Sequence, residues 1–174
     1  IASDVADAVN GADLILLAAP VAQTGALLEA IAPHLQPGTV MTDAGSTKSD
    51  VVAVARAVLG DKIEQFVPGH PIAGREQNGP EAALPDLYVG KKVILTPLQQ
   101  TNPVLVQKAT DVWAAVGCQV LKMTPENHDA AFAAVSHLPH LLAFAYMNAM
   151  AEQPLGQEYL SLAGPGFRDF TRIA

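Results

Sequence analysis

Segments typical of buried strands alternate with segments typical of helices between residues 12 and 123. The run ADLILLAAP, residues 12–20, is apolar almost throughout, as in a strand that is buried on both faces. In residues 21–35, apolar side chains recur with the spacing of one helix face. The other predicted strands lie in 37–46, 63–71, 91–97 and 118–123, and the other predicted helices in 47–60 and 101–117. This alternation predicts an α/β fold with a mainly parallel sheet covered by helices.

The pattern changes after Met123. Residues 125–153 have helical spacing and are apolar almost all round, which predicts a helix buried by more than one neighbour. Pro139 lies inside this helix and cannot donate a backbone hydrogen bond, so we expect a kink there. We therefore expect an α/β domain in 1–124 and the beginning of a helical domain in 125–174.

Both ends of the chain look interrupted. The chain begins with Ile1 rather than methionine, directly before a helical segment, and it stops at FRDFTRIA without a capping sequence. We expect a piece of a longer protein that is truncated at both ends.

Charge, hydropathy and cysteine content exclude some classes of partner and indicate a cellular setting. The formal net charge is -7 and only 16% of the residues are charged, which argues against a nucleic-acid partner or an anionic membrane surface, since either requires a basic patch. No uninterrupted apolar run reaches the ~20 residues that span a bilayer, and no signal peptide is recognisable, so no membrane contact is expected. The single cysteine, Cys118, favours a reducing, cytoplasmic setting.

Polar and small residues follow three of the predicted strands, in the segments 18–21, 43–49 and 68–74. Ligands of open parallel sheets bind beyond the carboxyl ends of the strands. The three segments therefore predict one crevice, whose mouth holds Pro20, Asp43, Ser46, Lys48 and His70.

Each of these side chains also has a structural interpretation. Two roles fit Ser46 equally well: a helix N-cap alone, or a helix N-cap that also contacts a ligand. Asp43 fits a role in organising a turn. Lys48 is predicted to be solvated. A functional role is favoured for His70, because it lies at the end of a strand, just before a long connection, residues 74–90, which we interpret as a flap over a site.

Polar side chains of the second half are fewer. Ser136 and His140 are four residues apart and share a helix face, and on an apolar helix they need partners. A metal site at His137 and His140 is disfavoured, because no further ligand stands at the usual spacing. His128 is predicted to be a surface or capping residue.

Two arginines stand near the end of the chain. Arg168 and Arg172 carry the side chain suited to a bidentate grip on a carboxylate. Spacing leaves open which of them binds a ligand and which pairs with Asp169.

Four motifs, taken in order, resemble the prephenate/arogenate (cyclohexadienyl) dehydrogenase family of tyrosine biosynthesis: TDAGSTK, PGHPIAGRE, HDAAFAAVSHLPH and GFRDFTRIA. The resemblance covers nearly the whole chain. It implies a Rossmann-like nucleotide-binding domain that lacks its Gly-rich first βα unit, followed by the start of a helical dimerisation domain. It also implies NAD or NADP as cofactor, a homodimer in the complete protein, and the oxidative decarboxylation of prephenate to 4-hydroxyphenylpyruvate or of arogenate to tyrosine.

The resemblance also implies roles for single residues. His70 hydrogen-bonds the 4-hydroxyl group of the substrate and assists its deprotonation. Ser46 lies between that histidine and the nicotinamide, and Arg172 grips the ring carboxylate. The remaining implied roles are substrate contacts for Ser136 and His140, a flap position for Glu76, and a cofactor crevice lined by Pro20 and Val21 with Asp43 and Ser46.

This sequence departs from the family pattern in places. Arg75 stands where many relatives have a smaller hydroxyl residue, and it is compatible with a salt bridge to Glu76 or with holding a substrate carboxylate. Pro165 replaces a common glycine. The pyrophosphate-binding turn is missing, so we expect residues 1–174 alone to be inactive.

Two other functions compete with this one. A dehydrogenase of 3-hydroxy acids with the same two-domain plan carries a catalytic lysine in its helical domain, and residues 125–150 contain no lysine. A non-catalytic, metabolite-binding dimer module would be favoured by loss of His70 or Arg172, and both are present.

Overall fold

Six short strands form two three-stranded sheets in the residues that the computed structural model describes, 2–74 and 79–174. The first sheet has the order β1-β2-β3, with all strands parallel. The second has the order β4-β5-β6, in which β4 is antiparallel and β6 parallel to β5. The strands are β1 (Leu14–Leu17), β2 (Val40–Asp43), β3 (Phe66–Val67), β4 (Gly69–Pro71), β5 (Lys92–Leu95) and β6 (Gln119–Lys122).

Helices connect the strands, as the alternation predicts. Where they begin and end follows local chemistry: Asn102 accepts a hydrogen bond from the N–H of Val104 at the start of α4, and Gly117, with φ of 91°, follows its end. The helices are α1 (Val5–Val9), α2 (Thr24–Ile31), α3 (Ser49–Leu59), α4 (Pro103–Ala115), α5 (Pro125–Phe132), α6 (Leu138–Ala151), α7 (Gly156–Ser161) and α8 (Pro165–Thr171). The predicted α/β fold is confirmed.

The third predicted strand, 63–71, is not one strand. Residues Gly60–Gln65 form 3-10 turns, and Pro68 separates β3 from β4. Proline has no N–H to donate to a ladder, so pairing changes at this point. The carbonyl of Pro68 accepts from the N–H of Thr96, and β4 continues antiparallel beside β5. This reversal carries His70 into the second sheet, opposite Ile94.

Apolar side chains form two clusters between the sheets and the helices. Phe66 of β3 packs in the first, with side chains of α2 and α3 such as Leu28 and Val51. The second joins β5 to α4, where Val93 and Trp113 lie. Burial of each such side chain contributes roughly 1.5–3 kcal/mol. The clusters hold the strand ends in place, and the candidate site is built on these ends.

Strand β1 is less buried than predicted. Leu17 is buried, but Leu16 is 45% exposed. Leu16 points to the opposite face of the strand from Leu17, and the described residues leave that face partly uncovered.

The chain divides into two compact units, Ile1–Asp129 and Ala130–Ala174. One continuous helix runs through Pro125–Ala151, with a π-helical segment, Ala133–His137, in its middle. The N–H of Leu138 reaches back to the carbonyl of Ala133, five residues earlier. The interruption expected at Pro139 therefore takes the form of a π segment just before the proline.

This helix contradicts the prediction of burial. It is not buried by several neighbours: Val135 is 73% and Leu141 65% exposed, and the only buried residue of α6 is Ala143. It is also long and apolar enough to cross a membrane, with a mean hydropathy of 1.3. Helices of the same length and composition also occur where another protein surface covers them.

Candidate active site

The carboxyl ends of β1 and β2 lie side by side, because Leu17 pairs with Asp43 in parallel register. The N–H of Gly69, at the start of β4, donates to Oδ1 of Asp43 over 2.9 Å. Val21 lies against the same loop, since a Cβ placed on Gly45 would meet its Cγ2 at 3.0 Å. The three chain segments therefore meet within the first unit, as predicted. Asp43 and Lys48 are buried there rather than placed at the mouth of a crevice.

A buried ion pair lies at the centre of this region. The ammonium group of Lys48 donates to Oδ2 of Asp43 and, over 2.7 Å, to the carbonyl of Gly69. Lys48 is fully buried and Asp43 is 2% exposed. Asp43 also accepts from the N–H of Gly45 over 2.9 Å, so its predicted turn role is confirmed. The pair ties the loop after β2 to the residue before His70.

The prediction that Lys48 is solvated was wrong. Its ammonium group finds a carboxylate and a carbonyl inside the protein, which replace the water that a buried charge must otherwise keep. Burial lowers the pKa of Lys48 below its ordinary value, and the Asp43 carboxylate opposes this shift. Spacing along the chain could not reveal the second partner, because the Gly69 carbonyl is 21 residues away.

Helix α3 is capped by a distant carboxylate rather than by Ser46. The helix begins at Ser49, and the N–H groups of Lys48 and Ser49 donate to Asp129 over 2.9 and 2.8 Å. The N-cap interpretation of Ser46 was therefore wrong. Ser46 is exposed at the end of the loop after β2, and its ligand contact stays a prediction.

A chain of hydrogen bonds joins His70 to Asp129. Nδ1 of His70 lies 2.8 Å from Nε2 of His128, and Nδ1 of His128 lies 2.8 Å from Oδ1 of Asp129. The two imidazole rings meet edge to face, with centroids 5.1 Å apart. His70 is half-buried and His128 is fully buried. The prediction of a surface position for His128 was therefore wrong, because His70 and Asp129 supply both polar partners that its ring needs.

Asp129 is ionised at neutral pH. Burial raises the pKa of this carboxyl, but hydrogen bonds from Ser49, His128 and the N–H groups of Ser49 and Lys48 outweigh burial and lower the pKa to about 2. The carboxylate is thus a permanent acceptor for helix α3 and for His128. Sequence reasoning missed both His128 and Asp129 as site residues, although a polar pair before an apolar helix was a usable signal.

The structure does not test the other predicted site residues. Arg75 and Glu76 lie outside the described residues. Pro20 is exposed just before a 3-10 turn, Val21–Gln23. Among the described residues, no group of three His, Cys, Asp or Glu side chains is arranged to hold a metal ion.

The predicted substrate contacts of the second half belong to the second unit. Ser136 is half-buried in the π segment, and His140 is exposed on α6. Arg168 lies in the last turn of α8, and Arg172 follows that helix. Their substrate contacts stay predictions.

Comparison with known proteins decides the family. Residues 2–122 match the family model for the nucleotide-binding domain of prephenate dehydrogenase, and residues 124–174 match the model for its dimerization domain. The chain belongs to the prephenate dehydrogenase family. The two models meet close to the predicted boundary at residue 124, while the compact units divide after Asp129.

Individual members of this family are similar along all or nearly all of this chain. The cyclohexadienyl dehydrogenase of Zymomonas mobilis is 35% identical over 100% of this chain and 59% of its own length. The prephenate dehydrogenase of Bacillus subtilis is 36% identical over 95% of this chain and 45% of its own. The chain thus spans about half the length of the curated relatives it matches.

Solved structures share the fold. The crystal structure of prephenate dehydrogenase from A. aeolicus, in complex with hydroxyphenyl propionate and NAD+, matches with a TM-score of 0.83 and 40% identity. The match covers 92% of this chain and 56% of that one. The predicted fold, a Rossmann-like domain followed by a helical region, is confirmed by this likeness.

Proposed function

We propose that this chain carries the catalytic histidine of an NAD- or NADP-dependent dehydrogenase that oxidises and decarboxylates prephenate or arogenate. The observation that carries the proposal is the placement of His70. In a chain of this family, its imidazole stands half-buried at the carboxyl ends of the strands, held by a second histidine at 2.8 Å. A neutral imidazole, with an ordinary pKa near ~6.5, is a competent base at neutral pH.

The reaction requires a base at one oxygen atom. Hydride leaves the ring carbon that bears the 4-hydroxyl group, and His70 takes the hydroxyl proton, so that this carbon becomes a carbonyl carbon. The C–C bond to the ring carboxylate then breaks, carbon dioxide leaves, and the bonding electrons make the ring aromatic as a phenolate. The imidazolium of His70 returns its proton to that oxygen. One product is 4-hydroxyphenylpyruvate or tyrosine, according to the substrate side chain.

The exposed edge beside His70 fits the nicotinamide end of a dinucleotide. Pro20 and Ser46 are exposed where β1 and β2 end, and Val21 lies against the same loop. Such an edge is where open α/β sheets bind nucleotides. NAD or NADP, when bound, supplies the hydride acceptor, and Ser46 is proposed to orient it against the substrate. Asp43 supports this loop from within, through Gly45 and Lys48.

Residues of the helical part and of the flap are proposed to hold the substrate. Arg172 binds the ring carboxylate, because a guanidinium group matches a carboxylate with two parallel hydrogen bonds. Ser136 and His140 contact the substrate, with His140 near the side chain that differs between prephenate and arogenate. Glu76 and Arg75, which belong to the predicted flap, are the remaining proposed substrate contacts.

The complete protein is proposed to be a cytoplasmic homodimer without a nucleic-acid or membrane partner. Its match to a dimerization domain supports this proposal, as do the exposed apolar side chains of α6, which a second copy would cover.

The test is steady-state kinetics of the full-length protein with prephenate and NAD or NADP, following reduced cofactor and carbon dioxide together. His70→Asn should lower kcat by ~10²–10⁴ with little change in KM, because the base is lost while one hydrogen bond survives. Arg172→Gln should mainly raise KM, by about one to two decades, since a charge-assisted pair contributes ~1.5–3 kcal/mol.

Two results would contradict the proposal. Reduction of the cofactor without release of carbon dioxide would point to a dehydrogenase of simple hydroxy acids. Full activity of His70→Asn would show that another group is the base.

A further inference from the structure

The hydrogen bonds of His128 determine where its own proton lies. The carboxylate of Asp129, 2.8 Å from Nδ1 of His128, is only an acceptor while it is ionised. Nδ1 of His128 must therefore carry a hydrogen. A neutral imidazole has one N–H, so Nε2 of His128 is left with a lone pair.

The same reasoning extends to His70. Nε2 of His128 lies 2.8 Å from Nδ1 of His70, and two facing lone pairs would repel each other. Nδ1 of His70 must therefore donate, which leaves the lone pair of neutral His70 on Nε2. Free histidine prefers the opposite tautomer, with its hydrogen on Nε2, so the protein imposes this arrangement.

We propose that His128 and Asp129 are positioning residues that fix His70 as the tautomer with a basic Nε2 and stabilise the imidazolium formed when that nitrogen takes a proton. The catalytic part of this inference rests on the proposed function, whereas the tautomer itself does not. The segment Asp129–His128–His70 is called the relay below.

Geometry favours the relay over a packing role alone. His128 is fully buried, and a buried imidazole without partners would be unfavourable by roughly 1–3 kcal/mol, yet both of its nitrogens meet polar partners at 2.8 Å. The Asp129 carboxylate is itself held by two backbone N–H groups at the start of α3. It therefore cannot rotate away without uncapping that helix, and the orientation of both rings follows from it.

The relay also determines where the positive charge goes. After His70 takes a proton at Nε2, its Nδ1–H still donates to His128, which still donates to Asp129. The new charge thus faces a chain of acceptors that ends in a carboxylate, and no group needs to reorient.

The direct test is nitrogen NMR of the full-length protein with ¹⁵N-labelled histidine, at a pH where His70 is neutral. The two tautomers give different ring ¹⁵N shifts, and the His70 signals are those that disappear in His70→Asn. The expected result is a hydrogen on Nδ1 of His70. A hydrogen on Nε2 would overturn the relay, whatever the activity of the enzyme.

Two substitutions of His128 distinguish its role as a hydrogen-bond acceptor for His70 from its role in packing. His128→Phe keeps a ring but removes the acceptor, so His70 should return to the Nε2–H tautomer and kcat should fall roughly 10²–10⁴-fold, with KM little changed. His128→Gln places a carbonyl oxygen near the position of Nε2, so it should keep the His70 tautomer and retain kcat within about 10-fold. His34→Phe, the same exchange at an exposed position, should change neither.

Asp129 is tested in parallel. A carboxamide has one acceptor oxygen for the donors that Asp129 now serves, so Asp129→Asn should hold His128 less well and lower kcat about 10–100-fold. Glu126→Gln removes the same charge from an exposed site on α5 and should leave kcat unchanged.

The outcomes distinguish the relay from the proposed function. Equal kcat for His128→Phe and His34→Phe, with both folded, would overturn the catalytic part of the relay. If prephenate is not a substrate, the proposed function fails, and the NMR result still decides whether the tautomer is fixed as inferred.

Discussion

Replacing Lys48 by methionine tests the buried ion pair. Methionine preserves length and apolar volume but removes the ammonium group. Asp43, 2% exposed, would then keep only the N–H groups of Gly45 and Gly69 as partners, and the Gly69 carbonyl would lose the Lys48 donor. Removing one partner of a buried pair costs about 3–5 kcal/mol, because a charge is left buried without its counter-ion. That is a large part of the 5–15 kcal/mol that ordinarily stabilises a domain.

A double-mutant cycle isolates the interaction. In the Lys48→Met background, Asp43→Asn removes the buried charge, so the double variant should be more stable than the sum of the single variants implies, by about 2–3 kcal/mol. The measurement is urea unfolding, followed through the fluorescence of Trp113, which is 4% exposed in the same unit.

A loss below about 1 kcal/mol for Lys48→Met would refute this reasoning. Such a loss is typical of an exposed ion pair. It would mean that the ammonium group of Lys48 is solvated, as the sequence alone suggested.

Two further predictions concern the same region. Gly69→Ala should destabilise the fold by about 1–3 kcal/mol, because the new Cβ would lie 2.9 Å from the Asp43 carbonyl oxygen. The control is Gly166→Ala, whose Cβ meets no described atom within 4 Å and which should cost nothing. Equal thermal unfolding midpoints for the two variants would contradict the close approach at Gly69. Asp129→Asn should lower the free energy of unfolding at neutral pH by about 2.5 kcal/mol, since the pKa is about 2 instead of 3.8 and each pKa unit corresponds to ~1.4 kcal/mol. The pKa of Asp129 is lower in the folded than in the unfolded protein, so this contribution is complete above pH 3.8 and disappears as the pH falls towards about 2. The free energies of unfolding of the parent and of Asp129→Asn should therefore converge near pH 2. An undiminished difference at that pH would contradict the lowered pKa of Asp129.

The sequence predicted the parts of the fold that local patterns encode. Alternating apolar runs and helical spacings indicated the strands and helices, and Gly60 and Gly117 marked helix ends because few other residues adopt a positive φ. It missed the break at Pro68, since an apolar run with one proline reads as a single strand until its two partners are known.

His70 was recognisable in the sequence because its surroundings are local. It lies between Gly69 and Pro71, at a strand end and before a long connection. Parallel strands bring such ends to one edge of the sheet, so the convergence with Asp43 and the loop after β2 also followed from pattern alone.

The tertiary structure decided which partners these residues have. His128 lies 58 residues from His70 along the chain, and Asp129 caps a helix that begins 80 residues earlier. A local pattern suggested Ser46 as that cap and the solvent as the environment of Lys48, because serine often precedes a helix and lysine is usually exposed. In both cases the actual partner is a group that is distant in the sequence. In a closely packed interior, a carboxylate or carbonyl from another segment satisfies a buried donor as well as water does, and only the fold determines which segment lies there.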